Sequence, residues 1–111
     1  HRKARYQLDE GEKLVCLIAI GYGENQGKPH RSKDMAKCYE LGSRQMPAWF
    51  AAGMEAAMLA PTALNQQNFV FMLQDGQMVS ASSTGGPFSK VDLGIVKYHF
   101  EAASGHKVIT Q

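Results

Sequence analysis

The chain has 111 residues, 44% of them hydrophobic and 20% charged, with a formal net charge of +2. That is enough chain for one hydrophobic core and too little for several, so residues 1–111 are expected to form a single domain. So small a charge does not point to nucleic acid, and the basic residues do not interleave with aromatics as they do in single-strand binders. The longest apolar run, residues 14–20, is far short of the roughly 20 residues that cross a bilayer, and nothing resembles a signal peptide. A cytoplasmic protein with neither nucleic-acid nor membrane partners is expected. Cys16 and Cys38 lack the C-x-x-C spacing of a metal or redox pair, and the four histidines lack ligand spacing, so free thiols and no metal are expected. The chain opens at His1 with a basic stretch and no methionine; it reads as a fragment of a longer protein.

Residues 14–20 are apolar without alternation, the pattern of a strand covered on both faces. Gly21, Tyr22 and Gly23 follow, then a polar loop over 24–33. Residues 34–41 read as a short helix stopped by Gly42. Pro47 suits the first position of a second helix, which Pro61 must end. That helix, 48–60, carries a single charge, Glu55. A helix apolar nearly all round must be buried, in a core or in a subunit interface. Residues 69–73 read as a second buried strand, and Asp75-Gly76 as the centre of a type I′ hairpin leading to a third. After a loop at 82–88, Ser89 to Asp92 resembles a capping box at the start of a last helix that ends near Gly105. Gly94 inside it suggests a close packing contact, since glycine there costs about 1 kcal/mol against alanine. The order of elements implies an α+β or mixed α/β domain.

Three places could carry chemistry. The spacing of Gly21, Gly23 and Gly27 is not that of a dinucleotide fingerprint, and Pro29 interrupts the helix that such a motif requires. The loop Lys28, His30, Arg31, Ser32, Lys33 could grip a phosphate monoester through charge-assisted hydrogen bonds; from the residues alone an ordinary solvated surface loop is the better reading. The sharpest signal is Ala60-Pro61-Thr62-Ala63-Leu64-Asn65-Gln66-Gln67, a polar turn pinned between a buried helix and a buried strand. Such a turn offers neutral donors and acceptors suited to the edge of a heteroaromatic ring. A helix–strand connection whose Asn and Thr merely satisfy the turn explains it as well. No catalytic side chain stands out: His99 reads as a core-edge histidine, and no G-x-S-x-G is present.

The run from Ala60 to Gln67 resembles the A-P-S/T-x-x-N-x-Q element of the flavin mononucleotide (FMN) dependent nitroreductase family. Residues 18–23 with Lys28 to Lys33 resemble that family's late strand, its I-G-Y turn and its basic phosphate-holding stretch, although Gly23 replaces the usual proline. Val91 to Glu101 adds to the likeness, which covers about residues 14–105. The resemblance implies an α+β nitroreductase-like fold, of which this chain is the carboxy-terminal portion. It implies FMN as cofactor, NAD(P)H as reductant, and a nitroaromatic, quinone or similar small molecule as acceptor. Pro61, Thr62, Ala63, Leu64, Asn65 and Gln67 would lie along the flavin, while Arg31 and Lys33, assisted by His30 and Ser32, would hold its phosphate. The basic turn precedes the Ala-Pro element here, the reverse of the usual order. That suggests the end of one nitroreductase-like unit joined to the start of another, as in the subgroup with two fused units. The family's early Arg-Ser-x-Arg clamp has no counterpart, so a complete site is expected to need a homodimer partner or a preceding amino-terminal half. The rival expectation is a flavin-binding or structural module without turnover.

Overall fold

Pro47 and Pro61 delimit the first helix. α1 (Ala48–Leu59) starts directly after Pro47, whose extended backbone (φ −68°, ψ 152°) makes it the cap rather than the first helical residue. In the computed structural model, which describes residues 5–111, four strands and two helices form an α+β fold; of the basic opening, residues 1–4 lie outside this description. The strands are β1 (Tyr39–Glu40), β2 (Phe69–Leu73), β3 (Val79–Ser83) and β4 (Val108–Thr110), and the second helix is α2 (Ser89–Ser104). They form one sheet in the order β1-β2-β3-β4, parallel, antiparallel and parallel in turn. An α-helix thus lies between each parallel pair in sequence, as a crossover requires, and a hairpin joins the two halves.

Strand alternation positions the core. Phe69, Phe71 and Leu73 are the buried residues of β2, and Phe71 and Leu73 stand opposite Ala81 and Val79 of β3. The Phe71 ring stacks on Phe100 of α2 at 4.6 Å, and Phe100 meets Phe50 of α1 edge-on at 5.4 Å. Burying each such ring contributes on the order of 2 kcal/mol. α1 can approach α2 this closely because residue 53 is glycine: a Cβ there would sit 2.6 Å from the Phe100 ring. The small-residue face of α1 is therefore a core contact.

Several sequence expectations fail. Residues 14–20 form no strand; they run exposed and unpaired, Ile18 at 82% and Ile20 at 95%. A strand exists only through its ladder partners, and among the described residues none is beside this run. The projecting arm accounts for a radius of gyration of 16.6 Å, against about 13 Å for a compact chain of this length. The expected helix at 34–41 is a 3-10 turn, Met35–Lys37, capped by Asp34 and followed at once by β1. The hairpin has the wider connection 74–78, closed by Gln74 N–H to Met78 O at 2.7 Å, with positive φ at Gly76 and Gln77 rather than at Asp75. The capping box does not form: the cap of α2 is Phe88, in left-handed conformation and without a side-chain bond. The close contact expected at Gly94 is not there: among the described residues, nothing beyond the helix's own backbone lies within 4 Å of a Cβ built there.

Candidate functional site

The corner between α1 and β2 begins where Pro61 removes the next helical N–H. Ala60 turns extended, and a single 3-10 turn, Ala63–Asn65, follows. Leu64 (φ 52°), Asn65 (φ 52°) and Gln67 (φ 48°) all adopt the left-handed region. For residues other than glycine this costs roughly 1–2 kcal/mol apiece. Hydrogen bonds from four directions hold them there.

From below, the carboxylate of Asp92 in the first turn of α2 accepts from Ala63 N–H at 2.9 Å and from the Gln66 side-chain amide at 2.6 Å. Asp92 is only 7% exposed. Gln66 donates also to Pro87 O at 2.7 Å, passing over Gly86, where any side chain would collide with it. From within, Thr62 Oγ1 accepts from Gln67 N–H at 3.0 Å. From the side, the basic loop lies directly on the corner. Arg31 O accepts from the side-chain amides of both Asn65 (2.9 Å) and Gln67 (2.8 Å), and Lys33 N–H donates to Gln67 Oε1 at 2.9 Å. Lys33 Nζ donates to Asn68 Oδ1 at 2.9 Å, and Asn68 in turn donates to Gly85 O. From behind, the His30 ring bonds Met58 O at 2.9 Å and pins the loop to the end of α1.

Elements distant in sequence thus meet. Gln67 is buried at 3% exposure, His30, Thr62 and Ala63 are half-buried, and Arg31, Ser32, Lys33, Pro61, Leu64 and Asn65 are exposed. Beside them a hollow of about 340 Å³ opens between the basic loop and the sheet, within the general size range of small-molecule sites. Lys33 and Gln67 line it, together with Lys37, Cys38, Val70 and Thr84, which the sequence did not single out. Pro61 to Asn65 and Arg31 stand outside that lining, on the adjoining surface.

The electrostatics of the hollow are mixed: two lysines, Lys33 and Lys37, and one carboxylate, that of Asp34, belong to its lining. Burial pushes the Cys38 thiol above its ordinary value, Lys33 opposes this and Asp34 reinforces it. The thiol therefore stays protonated at neutral pH and lines the hollow as a small apolar group rather than a nucleophile. Among the described residues no cluster of histidine, cysteine and carboxylate could hold a metal, and no helix is long and apolar enough to cross a membrane. Asp92 was the functional residue hardest to foresee. Its sequence neighbourhood suggests a helix cap, whereas its partners lie almost thirty positions away.

Comparison with known proteins agrees with the likeness drawn from the Ala-Pro element and the basic loop. Neither the curated proteins nor the solved structures contain a significant match. A family model described as "Putative TM nitroreductase" matches residues 1–104, a span that includes the arm, the basic loop, the strained corner and α2. The chain belongs to that nitroreductase family.

Proposed function

We propose that the chain forms part of an FMN-dependent oxidoreductase that passes electrons from NAD(P)H to a nitroaromatic compound, a quinone or a similar small acceptor. The observation that carries this reading is the direct bonding of the 30–33 loop to the 62–67 corner, through Arg31 O and Gln67. Cations suited to a phosphate stand beside a rigid edge of neutral amides suited to a heteroaromatic ring. The groups present fit FMN: Arg31 and Lys33 for the phosphate, with His30 and Ser32 assisting, and Pro61, Thr62, Ala63, Leu64, Asn65 and Gln67 for the ring and ribityl chain. When bound, the flavin supplies hydride and electron transfer, which no side chain here could perform. The protein's own part is to place that ring and to neutralise its anionic tail.

Two features support reading the proposed site as one part of a larger one. The apolar run at 14–20 is bare, and the hollow beside Lys33 is open; a homodimer partner or a preceding nitroreductase-like half would cover both. We place the protein in the cytoplasm, in keeping with two unpaired cysteines.

Absorbance titration tests the reading. Added FMN is expected to bind and turn the protein yellow, NAD(P)H to bleach it without air, and a quinone to restore the colour. Lys33→Ala with Arg31→Ala should weaken FMN at least tenfold and leave riboflavin, which lacks the phosphate, nearly unaffected. A protein that stays colourless with FMN, alone and in its native assembly, would overturn the assignment. The open hollow favours one second reading, a flavin-binding module without turnover, for which yellow protein that NAD(P)H fails to bleach is the signature.

A further inference from the structure

A second and larger hollow, about 510 Å³, lies where α2 passes the ends of β3 and β4, with Gly85 and Gln111 also in its lining. Lys90, Leu93, Gly94 and Lys97 form its helical wall, with Ser83 and Thr110 from the strands opposite. Positions 90, 94 and 97 share one helix face, and the middle one has no side chain. The result is a saddle: bare helix backbone at Gly94, an apolar flank at Leu93, and an ammonium group at each end. The two lysines are separated along the axis by about 10 Å, from a rise of 1.5 Å per residue.

Two observations mark the saddle as a binding surface rather than an unfilled gap. Glycine inside a helix has a cost in helix propensity, yet among the described residues no side chain lies within 4 Å of a Cβ built at Gly94. Neither lysine has a carboxylate within 4.0 Å: among the described residues the ion pairs are Arg44 with Asp75 and Lys107 with Glu101. Lys97 is nonetheless held in place, donating to Thr110 Oγ1 at 2.6 Å, with two protons left to offer.

We propose that this saddle binds a flat aromatic carboxylate, its ring laid over Gly94 against Leu93 and its acid groups on Lys97 and Lys90. The ring covers exposed helix backbone that no aliphatic side chain of the protein covers. A dicarboxylate carried on one benzene ring is short enough to leave a hydrogen bond at each end to the two flexible lysine side chains.

The test is titration of the ¹⁵N-labelled full chain with terephthalate, benzoate and the neutral terephthalamide, followed by amide chemical shifts. Terephthalate is expected to saturate with the largest shifts at residues 83–97 and 108–111. Benzoate should bind about tenfold more weakly, and terephthalamide should not saturate. Gly94→Leu, which meets open space and keeps a helix former, is expected to abolish binding, while Lys97→Gln weakens it tenfold and Lys97→Arg largely retains it. Absence of saturation by terephthalate at tens of millimolar overturns the proposal. So does equal binding of terephthalamide, and so do shifts confined to the exposed arm; these three results need no variant to fold.

Discussion

Asp92 shows how much one buried carboxylate can decide. Two oxygens, two donors and a 7% exposed position leave no room for water to replace it. Asp92→Ala should therefore strand the Ala63 amide and remove one of the two bonds that the Gln66 side-chain amide donates, a loss of about 1–3 kcal/mol. Urea unfolding measures that directly, and Asp92→Asn, which can still accept one of the two bonds, should lose less. Glycines give a sharper contrast. Gly53→Ala drives a methyl into the Phe100 ring and should destabilise the fold by about 1–3 kcal/mol. Gly94→Ala meets open space and should stabilise it by about 1 kcal/mol. The same chemical change, made in α1 and in α2, is expected to move thermal midpoints in opposite directions.

At the level of elements, the end of α2 is fastened to β4 by Glu101. Its carboxylate accepts from Val108 N–H at 2.9 Å and reaches Lys107 at 3.3 Å. The Val108 bond holds this carboxyl below its ordinary value, with Lys107 and Lys97 adding to the effect and partial burial opposing it. A carboxyl held low in the folded state adds stability above its unfolded value and loses it as the pH falls through the folded one. Glu101→Gln should thus flatten the acid limb of the stability–pH curve and change its slope little near neutrality, as followed by chemical denaturation between pH 3 and pH 7.

The same scale shows what the sequence could tell. α1, β2 and the end of α2 were legible because prolines, an uninterrupted apolar run and a terminal glycine act locally. The bonding of the basic loop to the corner was readable only as a likeness, since Arg31 and Gln67 belong to different elements. β1 and β4 were not legible at all: with two and three residues, they are strands by virtue of neighbours, not propensity. The 14–20 run failed for the complementary reason. Its composition demands two faces of cover, and composition cannot supply a neighbour.

Taken whole, the molecule is a four-stranded sheet with two aromatic-locked helices and an uncovered apolar arm. Among the described residues the arm's backbone N–H groups before Lys33 donate only over short range, as Glu12 N–H does to Asp9 O and Gly27 N–H to Asn25 Oδ1, and the long-range bonds begin with the His30 ring and Arg31 O. Hydrogen exchange should separate the two regions: rapid exchange over 5–32, slow exchange in β2 and β3.

Within that sheet the middle pair differs from both outer ones. β2 and β3 are adjacent in the chain and matched over five positions, Phe69 to Leu73 with Ser83 to Val79, whereas each flanking strand returns across a helix to find its place. Closing the short connection costs little chain entropy and closing the long ones costs more. The ribbon should accordingly act as the nucleus on which the flanks condense, so that the amides of Phe71 and Ala81 gain protection first on refolding and surrender it last.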